Sequence, residues 1–207
     1  FGKVPLDVAG GVALASLSAH KIHGPKGIGA LFVRSRPRVP LSPLLHGGGH
    51  ERGLRSGTLN VPGIVGFAAA VRIARRERAA EAERLGRLRD RLEAAIRSSL
   101  DGVTANGPRP GPERLPGNLS LSFAGVDGAR LVAALRGVAV SSGSACTTAS
   151  GEPSHVLRAL GVPEPLAKAT LRFGVGRFTT EGEVDAAAAE IVASVRRLRS
   201  ENESLRD

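Results

Sequence analysis

The single cysteine of the chain, Cys146, lies in the run Ser141-Ser142-Gly143-Ser144-Ala145-Cys146-Thr147-Thr148-Ala149-Ser150. Nearly every neighbour is small, so the segment has little apolar surface to bury and is expected to form a mobile loop rather than core. A thiol on such a loop is a candidate nucleophile, because the reactive thiolate needs access and a neighbourhood that stabilises its charge. The residues alone leave a second reading open, a buried structural cysteine, since Cys is among the most buried residue types.

A second candidate is Lys21, in Ser18-Ala19-His20-Lys21 at the end of an apolar run that reads as a strand. Ligands in α/β folds bind at strand ends. A lysine there can form a Schiff base when its surroundings lower its pKa. Ser18 and His20 could hold a phosphate beside it. Taken alone, Lys21 could also be an ordinary surface lysine.

The third cluster runs from Gly47 to Thr58, opening on Gly47-Gly48-Gly49. Glycines let backbone N–H groups approach an anion, and Arg55, Ser56 and Thr58 add donors. The run lacks the Gly-Lys-Ser/Thr ending of a P-loop. His46 and His50 are separated by three glycines, which argues against a helical metal pair. Arg172, in Leu171-Arg172-Phe173-Gly174, is suited to bidentate recognition of a carboxylate, or is a surface strand residue.

These residues need elements to position them. Val12 to Ser18 and Ile28 to Val33 read as strands around a turn-rich loop, and Pro37 to Pro43 as extended chain. From Pro62 to about Leu100 the pattern is helical: Leu85, Leu88, Leu92, Ile96 and Leu100 recur every three or four residues, with a break expected near 76–79. The Pro/Gly-rich segment Gly102 to Gly117 is the best candidate boundary. Beyond it, Asn118 to Phe123 alternates as a strand and Asp127 to Arg136 reads as a helix. Val138 to Ser141 reads as a strand leading into the cysteine loop. Ser154 is the expected N-cap of a short helix ending at Leu160, and Leu171, Phe173 and Val175 alternate as a strand. Thr180 with Glu183 forms a capping box that opens a final helix through about Leu198. Alternating strands and helices make the fold class α/β.

Composition narrows the function classes. The chain has 207 residues and is 42% hydrophobic, enough for one large domain or two small ones. No apolar run approaches the roughly 20 residues of a membrane span. One cysteine excludes an internal disulfide framework, so the cytoplasm is the expected compartment. The net charge of +10 comes mostly from arginine. Many arginines between Arg72 and Arg97 interleave with Glu at helical spacing, the pattern of a salt-bridged helix surface rather than a nucleic-acid stripe. With no Trp or Tyr, stacking platforms for single strands are scarce. Neither a nucleic-acid nor a membrane partner is expected. Phe1, in place of Met, and an opening with no helix- or strand-start signal suggest a piece of a longer chain.

In combination, the motifs resemble the cysteine desulfurases, pyridoxal-phosphate enzymes of the class-V aminotransferase group. The resemblance rests on Ser18 to Leu31, Gly47 to Thr58, Ser141 to Gly161, Arg172-Phe173 and Gly176 to Thr179. It covers nearly the whole chain, and the long cysteine loop resembles the branch that serves general iron–sulfur cluster assembly. It implies that Lys21 is the Schiff-base lysine, that Ser18 and His20 contact the cofactor phosphate, and that Thr58 reaches the phosphate of the neighbouring subunit in a homodimer. It implies further that Cys146 receives sulfur from L-cysteine as a persulfide, leaving L-alanine, and that Arg172 holds the substrate carboxylate. Lys26 shares the motif, and spacing alone does not separate it from Lys21. Residues 1–60 would end the large cofactor-binding domain, 61–101 would be interdomain helices, and 102–207 a small C-terminal α/β domain carrying the cysteine loop. The implied partners are an iron–sulfur scaffold or another sulfur acceptor. The family's chain is about twice as long, and its first half would carry the groups that stack on the cofactor ring and bind its nitrogen. A second function therefore stays open, an inert fragment that keeps dimerisation and scaffold-docking surfaces.

Overall fold

The computed structural model describes residues 2–8, 10–142 and 154–204. The chain folds as two compact units, Phe1–Ala79 and Ala80–Asp207, with the division inside a helix.

In the first unit, β1 (Leu14–Ser18) and β2 (Gly29–Val33) pair antiparallel, with Ser18 opposite Gly29. The 3-10 turn Ala19–Ile22 follows β1 directly. Its small core joins Ala19 and Ile22 to Phe67, Ala70 and Ala74 of α1 (Val61–Ser99). Asn60 caps this helix, its side chain accepting from the Gly63 N–H at 3.0 Å, and Pro62 sits in the first turn, where its missing N–H is harmless. The expected break at 76–79 is not found: α1 is one helix of 39 residues. Arg76, Glu77, Arg78 and Ala79 are all strong helix formers, with neither Gly nor Pro among them to interrupt the hydrogen-bond ladder.

The second unit is built on a three-stranded antiparallel sheet in the order β3 (Val103–Ala105), β4 (Asn118–Phe123), β5 (Thr170–Gly174). Leu119, Leu121 and Phe123 of β4 and Leu171 and Phe173 of β5 point to one face. They pack in a single core with Leu88, Leu92 and Ile96 of α1, Leu131 of α2 (Gly128–Ala134) and Ile191, Val195 and Leu198 of α5 (Glu181–Ser204). Two short helices, α3 (His155–Ala159) and α4 (Glu164–Lys168), precede β5. Neither β3 nor α4 is foreseen in the sequence. The expected strand Val138–Ser141 is reduced to an isolated bridge between Ser141 and Arg172.

The caps behave as their chemistry dictates. Asp127 accepts from the Arg130 N–H at 2.8 Å and Ser154 from the Val156 N–H at 3.3 Å. At the start of α5 the Glu183 carboxylate accepts from the Thr180 N–H at 2.8 Å and the Thr180 hydroxyl at 3.0 Å, and the Glu183 N–H donates back to that hydroxyl at 3.2 Å. The backbone bond from Thr180, then its hydroxyl, hold the Glu183 carboxyl below the usual carboxylate range. A carboxyl lowered by folding stabilises the folded state above its unfolded pKa, and loses that contribution as pH falls through the folded value. Thr180→Ala is expected to cost about 1 kcal/mol in denaturant unfolding. The melting-temperature gap between the native chain and Glu183→Gln should be full at neutral pH and close as pH drops below the carboxylate range.

Candidate active site

The turn that carries Lys21 is held by its first and last residues. Ala19 is wholly buried and Ile22 nearly so, while His20 and Lys21 between them are exposed. The Ala19 N–H donates to the Ile28 carbonyl at 3.1 Å, and the Gly24 N–H to the Ala19 carbonyl at 2.9 Å. The first bond pins the turn to the residue before β2, and the second closes the turn on itself. Glycine is required at Gly29, where a Cβ would stand 2.4 Å from the Leu17 carbonyl oxygen. Gly29 thus lets β2 lie against the end of β1 and fixes where Ser18 leaves the strand. Ser18 precedes the turn with extended backbone, its hydroxyl not spent on capping it. One hydroxyl, one imidazole and one amine therefore stand exposed within four residues at a strand end. This donor set fits a phosphate-bearing aldehyde: hydroxyl and imidazole for the phosphate, amine for the carbonyl carbon. No carboxylate lies on the turn, so a charge partner for a pyridine ring has to come from elsewhere.

Lys26 follows the turn and is also exposed. The Gly47–Thr58 cluster differs from expectation in its internal bonding. Arg55 donates to the carbonyls of Gly57 at 2.9 Å and Thr58 at 3.2 Å, and the Ser56 hydroxyl to the Gly48 carbonyl at 3.0 Å. Two of the three expected ligand donors thus knit their own loop, because its bent backbone leaves carbonyls that no strand or helix satisfies. Thr58 is exposed, and its side chain takes no part in these bonds.

Arg172 lies in the second unit. Its N–H donates to the Ser141 carbonyl at 2.7 Å and its carbonyl accepts from the Ser141 N–H at 3.2 Å, while its guanidinium reaches the Ser141 hydroxyl at 3.5 Å. The side chain is exposed on the sheet face opposite the core, where it borders a cleft of about 500 Å³. Ser142 and Ser154, which flank residues 143–153, border the same cleft. Cys146 itself falls outside the described residues. Sequence reasoning missed two polar residues on this cleft, Asn106 and Arg114. The polar half of the β4 alternation, Asn118, Ser120 and Ser122, carried the signal, since a strand with one apolar face must offer the other to something.

The class-V aminotransferase family model matches residues 1–187, nine-tenths of the chain and all six candidate positions. The chain belongs to the class-V aminotransferase family. The relatives sharpen the comparison. Over 199 residues the chain is 59% identical to cysteine desulfurase IscS of Anaeromyxobacter sp. (strain Fw109-5), covering 96% of this chain and 49% of the relative. It is 55% identical to the mitochondrial cysteine desulfurase of Arabidopsis thaliana over 200 residues, 96% of this chain and 44% of that one. Among solved structures, a NifS-like protein at 39% identity superposes with a TM-score of 0.79, over 95% of this chain and 50% of that one. The chain thus has the mixed α/β fold of this family and spans about half the length of the curated relatives it matches.

If Gly29 fixes the exit of Ser18, Gly29→Ala should open the β1–β2 pairing around the Lys21 turn. A cost of about 1–3 kcal/mol is expected, read as faster hydrogen exchange at the Ala19 amide. Unchanged exchange there would mean that the turn is held without the strand pair.

Proposed function

We propose that the chain carries the cofactor-lysine turn, the carboxylate site and the sulfur-accepting cysteine of a cysteine desulfurase. Such an enzyme depends on pyridoxal phosphate, converts L-cysteine to L-alanine, and leaves a protein persulfide. The observation that supports the reading most is the backbone bridge of Ser141 and Arg172. It ties an arginine suited to a carboxylate to the residue from which the cysteine segment departs. The names of the relatives point the same way.

In this reading Ser18 and His20 hold the cofactor phosphate, Lys21 its aldehyde carbon, and Thr58 the phosphate of a second subunit in a homodimer. Residues 1–60 end the large domain, 61–101 join the domains, and 102–207 form the small one. The bound cofactor supplies an electron sink for the charge left when the substrate Cα loses its proton. In this reading Lys21 Nζ takes that proton. Arg172 holds the substrate carboxylate by charge-assisted hydrogen bonds. The Cys146 thiolate attacks the substrate sulfur: an S–S bond forms, the substrate C–S bond breaks, and the carbon takes a proton to become the methyl of alanine. The outer sulfur of the Cys146 persulfide is then passed to an iron–sulfur scaffold or another thiol acceptor in the cytoplasm.

The half-length coverage favours a second reading, in which the 207 residues alone are inert and provide dimer and scaffold-docking surfaces. Borohydride trapping of cofactor, followed by peptide mapping, separates the two: label on Lys21 of this chain supports the first, and no label supports the second. Label on Lys26 would overturn the lysine assignment. In the native protein, Arg172→Ala should weaken L-cysteine binding by about 10- to 100-fold, the loss of one or two charged hydrogen bonds. Cys146→Ser should bind cysteine yet form no persulfide. Persulfide surviving that change would place the sulfur elsewhere.

A further inference from the structure

One carboxylate of α5 holds a stretch of chain that no sheet supports. Glu190 Oε1 accepts from two successive backbone groups, the Arg136 N–H at 2.7 Å and the Gly137 N–H at 2.9 Å. Successive N–H groups form a small anion-binding concavity, and here the chain's own carboxylate fills it. The fit is close, since a Cβ on Gly137 would stand 2.5 Å from Glu190 Oε2. Both ends of this contact are anchored in the core. Ile191, next to Glu190, is wholly buried, and Leu135, next to Arg136, is nearly so. The cap of α2 ends at Leu135, so Arg136 and Gly137 take their acceptor from α5 instead of from their own helix.

Only Val138, Ala139 and Val140 separate this clamp from the bridge of Ser141 to Arg172. None of the three belongs to a strand. Three extended residues span only about 10 Å, so a clamp at one end restrains the other. β5 is an edge strand of its sheet, and Arg172 spends both of its backbone groups on Ser141, at 2.7 and 3.2 Å. The Ser141 hydroxyl also stands 3.5 Å from the Arg172 guanidinium. Ser141 therefore touches Arg172 at the backbone and at the charged group, and what fixes Ser141 fixes both.

We infer that Glu190 is a positioning residue for the carboxylate site. It fixes the chain at Arg136 and Gly137, which sets Ser141 against Arg172 and orients the guanidinium toward the substrate carboxylate. Glu190 itself touches no substrate. The inference rests on the proposed role of Arg172 and adds the residue that holds that arginine in place.

The test combines residue-resolved hydrogen exchange with calorimetry on the native protein. L-Alanine is the probe, because it carries the carboxylate but no sulfur for Cys146 to attack. The Arg172 amide reports the bridge, and the Phe123 amide, which donates to the Ala169 carbonyl at 2.9 Å, reports the sheet as a whole. In Glu190→Ala, exchange at Arg172 should quicken about 10-fold, the loss of one charged hydrogen bond, with Phe123 unchanged. L-Alanine should bind about 3- to 10-fold more weakly. Glu190→Gln keeps an acceptor oxygen in place and should restore most of both effects. Should Glu190→Ala not fold, Gly137→Ala serves in its place. Gly137 has no positive φ, so its added Cβ displaces the carboxylate without straining the backbone, and the same selective changes are expected. Arg172 and Phe123 amides that quicken together would show a role in stability alone and overturn the inference, as would an Arg172 amide that stays protected. L-Alanine affinity that holds in Glu190→Ala but falls in Arg172→Gln overturns it too. An Arg172→Gln variant that binds L-alanine normally would defeat the reading of Arg172, and the positioning role with it.

Discussion

Leu119, Leu121 and Phe123 on β4 and Leu171 and Phe173 on β5 must leave water together, and the rest of the second unit follows from that requirement. Four of these five side chains are wholly buried, and the fifth, Phe173, nearly so. With a side-chain period of two, a slip of one residue in either strand would turn an apolar row outward, so the register is strongly specified. Once Leu119 is set against Phe173 and Leu121 against Leu171, Ser120 has to stand opposite Arg172 on the other face. The cleft floor is the obligatory reverse side of the core. Its position needs no separate device, only polar residues at the alternate positions.

The first unit solves a similar problem with fewer residues. A turn that presents two polar side chains has to be anchored by its neighbours, and Ala19 and Ile22 do this against Phe67, Ala70 and Ala74. The small side chain of Ala19 brings the turn close to the helix, and Gly24 continues the approach: a Cβ there would stand 3.0 Å from Ala19. The glycines of this motif keep the backbone close enough for Ile22 to be buried, and Lys21 is exposed as a consequence.

The net positive charge lies almost wholly in residues 1–79; the second unit is nearly balanced, and many of its arginines are held in local bonds. Arg84 donates to the carbonyls of Thr179, Gly176 and Arg177, closing the loop before α5. Arg91 makes a bidentate pair with Asp185 at 2.7 Å for both bonds and also reaches Glu181. The hydrogen bond to Asp185 raises the Arg91 pKa, and the same bond lowers that of the Asp185 carboxyl. Arg87 with Glu83 and Arg97 with Glu93 are i,i+4 pairs along α1. Such exposed pairs are individually weak. Their effect is on register and loop closure, and they bear out the reading of the arginine-rich stretch as a salt-bridged helix surface.

Sequence alone determined whatever depends on neighbours in the chain. The apolar stripe of α1, the alternation of β4, the Ser154 cap and the Thr180–Glu183 capping box were all legible, because each is a local pattern with a local energetic cause. The family was equally legible, from the long stretches around Lys21, Thr58, Cys146 and Arg172. Tertiary structure decided what depends on competition for partners. Val138–Val140 had strand character but found no continuous neighbour, so only Ser141 pairs. β3 is three residues in a Pro/Gly-rich stretch, too short to show a period, and exists because β4 offers it an edge. Arg55 and Ser56 looked like ligand donors until folding placed bare carbonyls within their reach. Nothing local in the sequence marks Arg114 for burial; it is buried because folding turns the Asn106 carbonyl, eight residues away, toward it. A sequence fixes which groups are polar, but which of them meet is settled only when the apolar faces have been buried.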